Sequence, residues 1–318
     1  MLTAPAPSKT ASRMEALGPP SGRGHASPDL IKALGRAPTR VESEIFSQAW
    51  SNHRRRNSLA APVRYSEGGK TRRFDNLFRE TVVEPSVRLK SPHCMTVFGS
   101  AAGIVRFTNR FALACQVRAS DPSLTARPYG AVSAQVGSVI HDVVATGIGA
   151  KPILQSAVFC LCPPGSPEQE GVPDPRRTLG GAVAAVRDYA NRMGIPTAGG
   201  AAWFDLAYSR HPLIFCESLG WLPLWALRKE GPRPGDLLVA AFGQANQPGL
   251  LMDSIAGKCL LNALLLCRER RLFHGVAHGA DSGLAASILA LARPWGALGN
   301  ISEDSCPESR FRGCFLRQ

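Results

Sequence analysis

The stretch DPRRTLGGAVAAVRDYANRMGIPTAGGAAWFD, residues 174–205, constrains the fold more than any other part of the chain. Residues 176–194 carry apolar side chains at helical spacing, with Arg177, Arg187 and Arg192 between them, and read as an amphipathic helix. Gly194 follows the last periodic residue and Pro196 lies two positions on, a strong helix stop. Two adjacent glycines, Gly199 and Gly200, then open an apolar stretch closed by Asp205. That pattern predicts a strand whose backbone lies very close to a neighbour, such as a packed helix.

The rest of the chain alternates in the same way. Strands are expected in RFALACQV (110–117), PILQSAVFCLCPP (152–164) and twice in WFDLAYSRHPLIFCESLGWLP (203–223), with a turn at 209–212. VGSVIHDVVATG (136–147) reads as a buried helix, and KCLLNALLLCRERRLFHG (258–275) as the main helix of a second unit opened by the strand RPGDLLVAAFG (233–243). Short helices are expected in PDLIKALG (28–35), capped by Ser-Pro-Asp, and in 39–56, where Val41, Ile45, Ala49 and Trp50 share one face. Strands followed by crossing helices indicate an α+β architecture with two subdomains joined near Pro223–Pro234.

Composition narrows the classes. The chain has 318 residues, 44% hydrophobic, enough for one large or two ordinary domains. LLNALLLC falls short of the roughly 18 apolar residues that a membrane helix needs, so no membrane role is expected. Residues 1–27 are rich in Pro, Ser, Gly and Ala without an apolar core, which reads as a disordered tail and not a secretory signal. The nine cysteines are odd in number and lie mostly in apolar runs, pointing to buried free thiols in a reducing, cytoplasmic setting. Net charge is +13, of which residues 1–73 supply +8 through 13 Lys/Arg against 5 Asp/Glu. HRRRN (53–57) invites a nucleic-acid reading. With no zinc-finger spacing and only 7% aromatics, a solvated basic surface suited to phosphorylated small molecules is the better one.

The order of longer phrases is more specific. LGRAPTRVESEIFSQAWSNH (34–53), RPYGAVSAQVGSVIHDVVATGIGAKPI (127–153), residues 174–205 and RPGDLLVAAFG (233–243) resemble, in sequence order, the large synthetase component of phosphoribosylformylglycinamidine synthase. The resemblance runs from about Pro28 to Ala292. It implies a fold like that of aminoimidazole ribonucleotide synthetase, an N-terminal α/β domain followed by a C-terminal α+β domain. It also implies a chemistry in which ATP activates a formamide oxygen of formylglycinamide ribonucleotide, which ammonia from a glutaminase subunit then replaces. Phosphoryl transfer of this kind uses Mg2+ held by carboxylates.

The implied domain plan is a tail over 1–27, a basic helical extension over 28–74, the synthetase-like N-terminal domain over 75–223, an incomplete C-terminal domain over 234–300, and a tail over 301–318. An incomplete second domain would leave a sheet edge open, so association with a second copy or a half-chain partner is expected.

Several positions that the resemblance makes functional are altered. His53 matches the family's active-site histidine, but Arg56 stands where a tyrosine contacts ATP. VRASDPSLTARPY (117–129) matches the main signature without a gap, yet Arg118 replaces its metal-binding glutamate and Ser120 its general base. Pro122 and Arg127 replace a second histidine and a later glutamate, and Gln116 replaces an ATP-binding lysine. Asp142 keeps a magnesium carboxylate, beside His141 at a substrate-binding arginine position. Leu250 falls on a substrate-binding glutamine and His278 on a metal aspartate. A guanidinium cannot ligate magnesium and repels it, and serine does not titrate near neutral pH as imidazole does. A catalytically impaired synthetase, or a non-catalytic nucleotide-binding or scaffolding relative, is therefore expected. An aspartate inside an otherwise apolar helix also requires a polar partner, so Asp142 marks a site in either case. HGVAH (274–278) has the spacing of two zinc ligands on a helix, but it lacks the central glutamate and contains Gly275.

Overall fold

The computed structural model describes residues 35–36, 62–96, 102–119, 127–167, 172–228, 233, 236–239 and 254–278. The chain divides into two compact units, Met1–Gly99 with Gly279–Gln318, and Ser100–His278.

In the first unit, strands β1 (Val63–Glu67) and β2 (Lys70–Phe74) form an antiparallel hairpin with Glu67 opposite Lys70. Residues 28–74 were expected to be helical, so this hairpin is a correction. Its cause is Gly68-Gly69, both at positive φ (54° and 75°), the backbone that a two-residue hairpin turn demands. A π-helical turn at Arg79–Val83 runs into α1 (Glu84–Arg88), and β3 (Cys94–Thr96) follows.

The second unit is built on β4 (Gly103–Arg106), β5 (Phe111–Ala119), β6 (Lys151–Leu161), β7 (Thr197–Phe204) and β8 (Leu213–Pro223). They lie in the order β4-β5-β8-β6-β7, antiparallel except for the β6–β7 pair. Helix α2 (Pro128–Val144) joins β5 to β6 and α3 (Pro175–Met193) joins β6 to β7. A parallel pair requires such a crossover, which explains why the long helix 174–205 segment sits where it does.

Helix α3 starts because Asp174 accepts a hydrogen bond from the Arg176 backbone N–H at 2.9 Å and Pro175 occupies the first turn. It stops at Gly194, whose φ of 67° closes the helix in the left-handed region. The buried faces of α2 and α3 meet one side of the sheet. Val132, Val136, Val139, Ile140, Ala182, Ala185, Val186, Tyr189, Met193, Ala157, Leu161, Ile214 and Cys216 form one core cluster, joined by Leu261 of α4 (Ser254–Glu269). Along β8 buried residues alternate strictly with half-buried ones, the period-2 signature of a strand lying flat on that core.

The strand expected at 233–243 is not formed by residues 236–239. Asp236 closes a turn instead, its carboxylate accepting from the Arg233 N–H at 2.7 Å, and Leu237 and Val239 face solvent. Residues 28–34 and 37–56, expected as short helices, lie outside the described residues.

Candidate functional site

Asp142 lies in the last turns of α2, 4% exposed, among valines and isoleucines. Burying a carboxylate without partners would cost several kcal/mol, roughly. Its partners come from β5. Even-numbered residues of that strand face the helices, as the burial of Ala112 and Ala114 shows, and this parity aims Gln116 and Arg118 at α2. Arg118 donates from Nε to Asp142 Oδ2 at 3.0 Å, and a second guanidinium nitrogen lies 2.8 Å from the same oxygen. Gln116 Nε2 donates to it at 3.1 Å. The other oxygen, Oδ1, lies 3.0 Å from His278 Nδ1.

The neighbours of this cluster are also fixed. Gln135, two turns before Asp142 on the same face, donates from Nε2 to the carbonyl oxygens of Arg118 at 2.5 Å and Ile214 at 2.9 Å. It ties the end of β5 to the helix. Thr146 donates to the Asp142 carbonyl oxygen at 3.0 Å. The rings of His141 and His278 meet edge to face, 5.0 Å between centroids.

Charge follows from this geometry. Burial alone would raise the Asp142 carboxyl. The His278 hydrogen bond, the Arg118 charge and the Gln116 amide outweigh it and hold the group below the usual carboxylate range. Burial, then the proximity of His278, pushes His141 down to about 4, with Asp142 opposing only in part. The ring is therefore neutral at physiological pH.

Of the residues singled out from sequence, Gln116, Arg118, His141, Asp142 and His278 are brought together in this one cluster. His53, Arg56, Ser120 and Leu250 lie outside the described residues. Arg127 is the residue before α2 and faces solvent. Sequence reasoning did not identify Gln135, although a glutamine seven positions before Asp142 on one helix face was a usable signal. His274 and His278 do not converge: residues 272–278 are not helical, His274 Nε2 faces Asp236 at 3.7 Å, and His278 faces Asp142.

The described residues of the cluster do not fit a magnesium ion. Mg2+ takes about six oxygen ligands at ~2.0–2.1 Å. Among the described residues Asp142 is the single carboxylate of the cluster, and donors of Arg118, Gln116 and His278 engage both of its oxygens. Among the described residues no group of three or more His, Cys, Asp or Glu side chains could hold a metal ion.

A separate apolar groove of about 390 Å³ runs between α3 and the β6–β7 edge, lined by Phe159, Leu179, Val183, Val186, Gly200 and Ala202 among others. Gly200 is close to the neighbouring strand: a Cβ there would overlap the Ala157 carbonyl oxygen of β6. The neighbouring strand, rather than a packed helix, thus requires this glycine, and Gly199 has open space around it.

Comparison with known proteins places this geometry. Residues 99–222 match the family model for the N-terminal domain of AIR synthase related proteins. The phosphoribosylformylglycinamidine synthase subunit PurL of Ignicoccus hospitalis is 28% identical over 291 residues, covering 84% of this chain and 36% of its own. Thermotoga maritima PurL complexed with AMPPCP superposes with a TM-score of 0.57 at 23% identity, over 83% of this chain and 37% of that one. The same protein complexed with FGAR gives 0.55 at 21% identity, over 84% and 41%. The chain thus spans about a third of the length of the curated relative and about two fifths of the solved ones. Element order, fold and similarity agree: residues 99–222 match the N-terminal domain of AIR synthase related proteins, within a chain similar to the PurL subunit of phosphoribosylformylglycinamidine synthase.

Proposed function

We propose that this chain is a synthetase-like component of purine biosynthesis whose turnover is impaired. The reaction of its relatives' class converts formylglycinamide ribonucleotide to the amidine with ATP and glutamine-derived ammonia. The observation that carries the impairment is the closed environment of Asp142, whose carboxylate is engaged by Arg118 and Gln116 of β5 and by His278. A carboxylate held in this way does not offer free oxygens to a metal–phosphate complex. Support for the substrate class comes from the PurL relatives and from the AMPPCP and FGAR bound to the Thermotoga protein.

Within this proposal His53 is the retained active-site histidine and Ser120 the altered base position. Arg56 and Gln116 stand at ATP-binding positions, His141 and Leu250 at substrate-binding positions, and Arg118 and His278 at altered metal positions beside Asp142. A glutaminase subunit and a second copy or half-chain partner are the proposed partners. The domain plan, with an N-terminal synthetase-like domain over 75–223 and a C-terminal one over 234–300, is part of the same proposal. No helix of the described residues is long and apolar enough to cross a membrane.

The same closed carboxylate favours a second reading, a nucleotide-binding or scaffolding protein without turnover. Steady-state assay with formylglycinamide ribonucleotide, ATP, magnesium and ammonia separates the two from a working enzyme. Little or no amidine is expected. Robust formation that Asp142→Asn or His53→Ala abolishes would overturn the impaired reading. An ATP-induced rise in melting temperature without turnover would select the binding-protein reading.

A further inference from the structure

We infer that Arg118 serves this chain as a built-in cation, so that the Asp142 site is an internal lock that no divalent ion enters. The carboxylate of α2 has a fixed positive partner on β5, in contact through two guanidinium nitrogens at 2.8 and 3.0 Å. Both nitrogens meet the one oxygen Oδ2, a charge-assisted contact stronger than a neutral hydrogen bond. Gln116 adds a third donor to the same oxygen, and His278 brings in the segment after α4 on the other oxygen. One buried acid thus fastens three pieces of the unit: strand β5, helix α2 and residues 271–278.

The backbone around the pair is fixed from the other side as well. Gln135 holds the Arg118 carbonyl, so the arginine is anchored at both its main chain and its side chain. A metal site must give its ligands back when the ion leaves. This one carries its cation covalently, on a side chain of the same unit, and its geometry is complete without any ion. The inference rests on the same closed carboxylate as the impaired reading, but its readouts, ion binding and melting, do not depend on purine turnover.

The test uses the full chain and three variants. For the intact protein, magnesium or EDTA is expected to leave the melting temperature unchanged, and Mn2+, followed by electron paramagnetic resonance as a spectroscopic stand-in, is expected not to bind. Arg118→Gln should lower the melting temperature by about 4 °C or more. Arg118→Glu should lower it further, because two carboxylates then face each other, and magnesium or Mn2+ should restore part of the loss by bridging them. If Arg118→Glu fails to fold, the exchange pair Arg118→Asp with Asp142→Arg replaces it, and should melt higher than either single exchange. Saturable Mn2+ binding by the intact chain that Asp142→Asn removes would overturn the inference. So would an Arg118→Gln variant that melts like the intact protein.

Discussion

A Cβ placed on Gly137 of α2 would lie 2.7 Å from the hydroxyl oxygen of Tyr189 on α3 and 2.9 Å from its ring. The two helices therefore cross where one of them has no side chain, and the tyrosine, 6% exposed, fills the gap. Gly137→Ala is expected to cost about 1–3 kcal/mol, because the ring belongs to the buried core cluster and must shift as a body. The pairing Gly137→Ala with Tyr189→Phe should recover part of that loss. Urea unfolding of the two single variants and the double variant measures it, and additive losses would argue against the contact.

Acid should destabilise the unit in a defined window. His141 is held near 4 in the fold and titrates near 6.5 when unfolded, so above pH 6.5 both states are neutral and its contribution is complete. Below that value the unfolded chain takes up a proton that the folded chain refuses. Stability then falls, by up to about 3 kcal/mol on reaching pH 4. Asp142 acts later and in the same direction: its carboxyl is lowered, so its contribution is lost only as pH drops through the acidic carboxylate range. His141→Gln should flatten the slope between about pH 6.5 and 4. An unchanged slope would place the effect elsewhere.

Thiol reactivity should follow burial and charge. Cys94 and Cys259 are exposed, against the expectation of buried thiols, whereas Cys160, Cys162 and Cys216 are buried. Burial, then a hydrogen bond to Glu217 at 3.1 Å, pushes Cys115 up to about 12, and burial alone does the same for Cys216. Alkylation of the native chain near neutral pH is expected to label Cys94 and Cys259 and spare Cys115 and Cys216, read by peptide mass mapping. Glu217→Gln should speed labelling of Cys115. Prompt labelling of Cys115 in the unaltered chain would contradict this.

The adjacent glycines of β7 should behave differently. Gly199→Ala enters open space and is expected to change stability by less than about 0.5 kcal/mol. Gly200→Ala meets the backbone of β6 at Ala157, which cannot swing aside as a side chain can, and should cost about 1–3 kcal/mol. Thermal melts of the two variants side by side decide this, and equal losses would refute it.

Legibility of the sequence varied with the range of the interaction. The end of α3 was plain, because Gly194 and Pro196 encode it locally. Helix α2 was recognisable from its apolar run, and Asp142 within it announced a polar partner. Which partner could not be read, since Arg118 reaches it only through the parity of β5 and the docking of α2 on the sheet. His278 is 136 positions away, and the resemblance and the HGVAH spacing drew attention to it without pairing it with Asp142. The β1–β2 hairpin was missed for another reason. Its strands are charged and exposed, so no apolar alternation marked them, although Gly68-Gly69 was the turn signal.

The place of β8 in the sheet has a consequence for synthesis. The strand lies between β5 and β6 but is the last of them to leave the ribosome. Until residue 223 has been made, β5 and β6 have no common neighbour, and each presents open backbone on the side that β8 will fill. Helices α2 and α3 can form early but have only a split platform to rest on. Assembly of the unit is therefore a late, single closing event, and a nascent chain paused before residue 213 is the form most in need of protection from aggregation.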